Sequence, residues 1–321
     1  MKSRSSEIRR ARPWLGTLVE IGAAGANAAA GIEAAFCEIE TIHRLMSFHE
    51  VNSDVSRINR AAPGEIVRVD RRTYEVLGCA QLTSRLSAGA FDITVGGRLV
   101  EAGLLPRPQG AGDFDQDASY EDMLLLPDDS VTLTRHVWID LGGIAKGYAV
   151  DRAVQVLKKS GITSGIVNAG GDLYVFGDRQ PIHIRHPEDV SLVLPLGFIV
   201  NAAVASSSGC FALPASGGRA NDPLIAPKRN IAVQWRKGFT VIARQCMIAD
   251  ALTKVIRLAP RRAPRILNRL RAQAIVTDRR GARISKSRVA VDPIGGFPDP
   301  ARYRFGSASA LASRIRKEIA V

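Results

Sequence analysis

Apolar positions along the chain recur at two periods, near 2 and near 3.6 residues, and the two patterns follow one another irregularly. Residues 15–21 alternate as a strand, and the Gly/Ala-rich residues 23–30 read as a turn or loop. From Ile32 the apolar positions Ile32, Ala35, Phe36, Ile39, Ile42 and Leu45 predict an amphipathic helix ending near Met46. Residues 71–87 predict a second helix, 88–97 a glycine-containing loop, and 104–121 a surface excursion rich in Pro, Gly and Asp. A strand is predicted over 131–140 and a helix over 145–159. Two short strands follow at 166–168 and 173–176, separated by glycines, and another at 198–205. Residues 206–230 read as a long Ser/Gly/Pro loop. Helices are predicted at 246–258 and 262–270, and a strand at 274–277 leading into a turn at Arg279, Arg280 and Gly281. The last stretch, from about 288, carries turns and a short basic helix. There is no internal repeat. Several predicted strands are adjacent, which favours an α+β fold with mixed or mainly antiparallel sheets and flanking helices over a doubly wound parallel one.

Composition narrows this picture only in places. At 321 residues, 46% hydrophobic and 23% charged, the chain can bury a sizeable core. A net charge of +13 admits nucleic acid, an anionic membrane surface or an acidic small ligand as partner. The positive charge is dispersed and no recognition motif accompanies it, so no nucleic-acid partner is expected. Cys37, Cys79, Cys210 and Cys246 form no C-x-x-C pair, which argues against a zinc site or a disulfide framework. Residues 1–12 hold several arginines and no apolar h-region, and no run of about 18 apolar residues occurs. A cytoplasmic location without a transmembrane segment is the expectation.

Five segments carry candidate chemistry. Asp140-Leu-Gly-Gly-Ile-Ala-Lys146-Gly-Tyr148 places two glycines and a lysine at a predicted helix start. Backbone N–H groups and the helix dipole there favour an anion, and Lys146 adds a full charge. The alternative is a plain strand-to-helix turn with a surface lysine. The order of residues matches neither G-x-G-x-x-G nor a P-loop. In Asn168-Ala-Gly-Gly-Asp172, Asp172 either holds a ligand hydroxyl or closes a turn. In Gly89-Ala90-Phe91-Asp92-Ile-Thr94, Phe91 can lie on a flat ring, and Asp92 can equally be a helix cap. Asp250 and Thr253 share a helix face, where they suit either a hard cation such as Mg²⁺ or an N-capping pattern. Ser206-Ser207-Ser208-Gly209 suits a phosphate, or any loop.

Taken in order, these segments resemble the ApbE family over roughly residues 12–287. Residues 45–50 with Ser53, Ser56 and Asn59 are similar to its first motif, 90–92 to its second, and 140–147 to its most specific one. Residues 168–172, 203–209 and 250–253 follow at the family's intervals. The resemblance implies an ApbE-like, T-fold-like architecture over 1–287: two intertwined α+β halves with an FAD pocket between them. A basic extension would follow at 288–321. It implies that FAD is bound as substrate by Met46, Ala90, Phe91, Asp92, Asp140, Lys146, Asp172 and Ser207. A Mg²⁺ would sit near the Gly143 carbonyl, Asp250 and Thr253, with Lys146 and Asp250 in catalytic roles. The implied activity is Mg²⁺-dependent transfer of FMN from FAD to a Thr or Ser hydroxyl of an acceptor protein, releasing AMP. Hydrolysis of FAD to FMN and AMP, or FAD binding without catalysis, are the alternatives. The chain departs from the family pattern in several places, two of them near the expected site. Pro223-Leu-Ile-Ala-Pro227 stands where His-x-x-Asp-Pro is usual, and Lys254 where a threonine is frequent.

Overall fold

A computed structural model describes residues 7–189, 192–208, 237–278 and, by backbone alone, 225–226, 231–232 and 281–284. The predicted segment from 288 onward, Gly209, Arg279, Arg280 and most of the 223–227 departure lie outside the described residues.

The chain opens with the hairpin β1 (Glu7–Trp14) and β2 (Thr17–Ala24), then α1 (Ala28–Met46) and α2 (Asp54–Arg60). Next come β3 (Ile66–Arg68), α3 (Arg71–Ser87), α4 (Gly96–Glu101), β4 (Met123–Leu126) and β5 (Ser130–Leu133). After α5 (Ala145–Lys159) run β6 (Gly165–Ala169), β7 (Asp172–Phe176), β8 (Gln180–Arg185), β9 (Val193–Ile199) and β10 (Ala202–Ser208). The short pair β11 (Ile225–Ala226) and β12 (Ile231–Ala232) precedes β13 (Gly238–Ala243) and α6 (Cys246–Leu258). The described chain ends with α7 (Ala263–Arg269), β14 (Gln273–Asp278) and β15 (Gly281–Ile284).

Eight strands form one sheet in the order β1-β2-β6-β7-β10-β13-β14-β15, with every described pairing antiparallel. The expected fold class therefore holds. Strand alternation separates the two faces. Val167, Ala169, Ala203, Ala205, Val241 and Ala243 join the main core, while Leu173, Val175 and Val204 point the other way into a small second cluster with Ile182 of β8. α1, α5 and α6 lie on the main face, with α1 against α5 and α5 against α6. The mostly small sheet residues beneath them let α6 settle deeply, with ten of its thirteen residues buried.

Local chemistry explains most boundaries. The Ser53 hydroxyl accepts the Ser56 N–H at 3.0 Å and starts α2; the Asp70 carboxylate accepts the Arg72 N–H at 2.8 Å and starts α3. Ala88 at φ 54° in the left-handed region stops α3 immediately before Ala90-Phe91-Asp92. The glycine pair in the Asn168–Asp172 segment is a hairpin turn: Ala169 pairs with Asp172 across Gly170 and Gly171, at φ 66° and 102°. Positive φ at both turn positions matches the twist of the flanking strands, and glycine reaches it without steric cost.

Several expectations need correction, among them the turn or loop read over residues 23–30: Ala24 still belongs to β2 and Ala28 already opens α1. β1 was not expected, because its arginines leave most of the strand exposed at the sheet edge. The strand predicted from 15 starts at Thr17, since Leu15 and Gly16, both at positive φ, form the hairpin turn. The strand expected over 131–140 ends at Leu133; beyond it the Asn59 side chain stands in for a strand partner, donating to the Ile139 carbonyl at 3.0 Å and accepting its N–H at 2.7 Å. Residues 198–205 divide at Asn201, φ 48°, and Ser206–Ser208, expected in a loop, continue β10 against β13.

Candidate functional site

The start of α5 lies against the fifth residue of α6. Gly147 lets the two backbones approach, and its N–H reaches the Asp250 carboxylate at 3.2 Å. Asp250 is a fully buried carboxylate. Charge gathers around it. The Lys146 ammonium stands 2.6 Å from Asp172 and 3.6 Å from Asp250. The Lys254 ammonium bonds the other Asp250 oxygen, and also the Asp250 carbonyl at 3.1 Å. Two carboxylates and two ammoniums make a balanced cluster. Burial alone lowers Lys146, but Asp172 and Asp250 outweigh it and hold the ammonium well above the ordinary lysine value. Burial likewise raises Asp250, yet Lys146 and Lys254 pull it below the usual carboxylate range. Asp172 is raised, by burial and by the Asp250 charge.

A second carboxylate anchors the same helix. Asp151 on α5 accepts the N–H groups of Cys246 and Met247 at 2.8 and 2.9 Å, capping α6 from outside its own segment. Burial pushes its carboxyl from 3.8 to about 7, opposed by those two N–H donors. The folded chain therefore keeps a proton that the unfolded chain sheds. This stabilisation is complete below 3.8 and is lost as pH rises through about 7. The melting temperature is expected to fall by several degrees between pH 5 and pH 8, and Asp151→Asn, which cannot ionise, to flatten that slope. An unchanged slope in the variant would refute the assignment; calorimetry across pH gives the answer.

A cavity of about 400 Å³ opens over the cluster. Its walls are mainly apolar, from Ile42, Met46, Phe48, Phe91, Leu105 and Leu258, and Lys146 and Lys254 both reach it. Of the expected ligand-contacting residues, Met46, Ala90, Phe91, Asp92, Asp140, Lys146 and Ser207 line this one space, as does Gly143. Asp172 does not; it is buried behind Lys146. Asp92 has a structural duty as well. One oxygen accepts the Thr94 N–H and hydroxyl at 2.8 and 2.7 Å, and the other the Tyr120 N–H at 3.1 Å, which fixes the loop carrying Phe91. Burial raises its carboxyl, and those bonds oppose the rise. Asp140 accepts the Gly142 N–H at 3.1 Å. Burial raises it too, against that bond and the charges of His49, Lys146 and Lys254.

Lys254 and Arg257 also line the cavity and were not among the expected contacts. The signal for Lys254 was legible: Asp250 and Lys254 are i and i+4 on one helix, the spacing at which opposite charges meet.

The donor set does not fit a resident Mg²⁺ at the Gly143 carbonyl, Asp250 and Thr253. Thr253 is buried, does not line the cavity, and donates its hydroxyl to the Asp250 carbonyl at 2.7 Å. Both Asp250 oxygens already hold cationic or N–H donors. A dication beside the Lys254 ammonium at ~4 Å would meet a repulsion of about 8 kcal/mol at an effective dielectric of about 20. Among the described residues, no group of three or more His, Cys, Asp and Glu side chains is arranged to hold a metal.

The fold and the cavity define a class: an antiparallel α+β protein with a mainly apolar cavity that two ammoniums reach. The chain belongs to the ApbE family, whose model matches residues 15–276. It is 26% identical over 193 residues to the FAD:protein FMN transferase of Treponema pallidum, covering 55% of this chain and 53% of that one. With the Vibrio cholerae protein of the same name it shares 26% over 234 residues, covering 67% and 69%. The chain spans little more than half the length of some of these relatives. The crystal structure of the ApbE protein from Thermotoga maritima superposes with a TM-score of 0.75 at 27% identity, over 88% of this chain and 98% of that one. The Vibrio cholerae flavin transferase ApbE does so at 0.74 and 22%, covering 88% and 98%. No helix among the described residues is long and apolar enough to cross a membrane.

Proposed function

We propose that this chain is an FAD:protein FMN transferase, with FAD as its substrate and a flavin-acceptor protein as its partner. The observation that carries the reading is the cavity itself: apolar along its walls and lined also by two ammoniums fixed on a buried carboxylate. The relatives' names agree with it.

In this reading Met46 and Phe91 flank the flavin nucleotide, and Lys146 and Lys254 face the diphosphate. Each ammonium has three N–H donors. Lys146 directs one at Asp172 and stands 3.6 Å from Asp250, and Lys254 directs two at the carboxylate and carbonyl of Asp250. Each ammonium keeps at least one donor for a phosphate oxygen. Asp172 and Asp250 are then positioning residues that aim the two cations. An acceptor Thr or Ser oxygen forms a bond to the FMN phosphorus as the bond to the bridging oxygen breaks. AMP leaves with that electron pair, and the hydroxyl proton passes to solvent. Preset cations stabilise the charge that grows on the departing phosphate.

Incubation with FAD and a flavin-acceptor domain tests this. The expected products are flavin-fluorescent acceptor and AMP in equal amounts. AMP without labelled acceptor would favour hydrolysis, and tight FAD binding with neither product would favour a binding protein; either overturns the transferase reading.

A further inference from the structure

We propose that the Lys254 ammonium is a built-in cation standing in for a divalent metal ion, so that this chain binds a dinucleotide diphosphate without Mg²⁺. The ligand in this proposal rests on the FAD reading above; the exclusion of metal does not.

Three observations converge. First, Lys254 lies where the other residues expected to hold a cation meet. Its ammonium bonds Asp250, and its Cε lies 3.7 Å from the point a Cβ on Gly143 would occupy. Second, the neighbouring hydroxyl offered by the sequence, Thr253, is buried and does not line the cavity. Third, the cluster is already charge-balanced, with Asp172 and Asp250 against Lys146 and Lys254. A tethered ammonium needs no metal to be recruited from solution. Lysine binds phosphate as a point charge, and Lys254 sits at the cavity wall with only 15% of its side chain exposed. That low exposure limits screening by water and salt.

Two readouts on the full chain test the proposal. The first uses Mn²⁺ alone, followed by the electron paramagnetic resonance of the free ion. Wild-type protein is expected to leave the signal unchanged, and Lys254→Thr to bind one equivalent. Uptake of Mn²⁺ by the wild type, equal to that of the variant, overturns the proposal. The second is FAD affinity from flavin fluorescence, in EDTA and in Mg²⁺. The wild-type dissociation constant is expected to differ by less than about twofold between the two. Lys254→Thr should weaken binding about tenfold or more in EDTA and recover in Mg²⁺. Lys254→Gln should weaken it without recovery, which separates lost charge from lost folding; melting curves of both variants accompany the titrations. Wild-type binding that collapses in EDTA and returns with Mg²⁺ refutes the substitution. Failure of the wild type to bind FAD at all, with the Mn²⁺ contrast intact, refutes the FAD reading and leaves the cation replacement standing.

Discussion

Replacing Lys146 with methionine is expected to weaken FAD binding about a hundredfold and to remove about 2–3 kcal/mol of folding stability. Both effects come from one position. The ammonium is 2.6 Å from Asp172 and 3.6 Å from Asp250, and it is the contact that joins the two carboxylates. Methionine keeps the length of the stem and deletes the charge. Asp250 retains Lys254, but Asp172, nearly fully buried, loses its ammonium and faces another carboxylate. Breaking a buried ion pair typically costs about 3–5 kcal/mol; the 28% exposure of the Lys146 side chain admits water and places this case lower. Flavin titration and denaturant unfolding measure the two losses separately. An affinity within about threefold of wild type would remove Lys146 from the diphosphate site.

Gly147→Ala is expected to destabilise the protein by about 2–4 kcal/mol, even though alanine is the better helix former by about 1 kcal/mol. The reason is the crossing of α5 and α6. A Cβ at Gly147 would lie 2.7 Å from the Met247 nitrogen and closer still to the Cys246 carbonyl. These are backbone atoms at the first turn of α6, held there by Asp151, so they cannot swing aside. The helices must part, which also stretches the bond from the Gly147 N–H to Asp250. A fall in melting temperature on the order of 10 °C should accompany the change. An equal or higher melting temperature would show that the crossing has slack, and that the glycine has no packing role.

Both predictions depend on relations the chain does not display locally. Asp250 and Thr253 are three apart on a helix, a spacing that favours one shared face and suggests a joint ligand set. In the fold Asp250 meets Gly147 and Lys146 of α5, while the Thr253 hydroxyl returns to its own backbone. Which carbonyl or carboxylate a hydroxyl chooses is settled by what else packs around it. Ser207 illustrates the same limit: its serine-rich neighbourhood suggests a loop, but pairing with β13 extends the strand through it. The 131–140 segment looks like a strand because the side chain of Asn59 satisfies an extended backbone that has no strand beside it.

The residues alone determined the helices α3, α5 and α6 to their ends, since a buried helical face writes its 3.6-residue period directly into neighbouring positions. They also determined the fold class and the set of motifs that bear on a nucleotide. Only the tertiary structure decided that Met46, Phe91, Asp140, Lys146, Ser207 and Lys254 face one cavity, and that an ammonium stands beside Asp250. That convergence follows from the order of eight strands and from two helices touching at a glycine. Such contacts join residues about a hundred positions apart, and no local period encodes them.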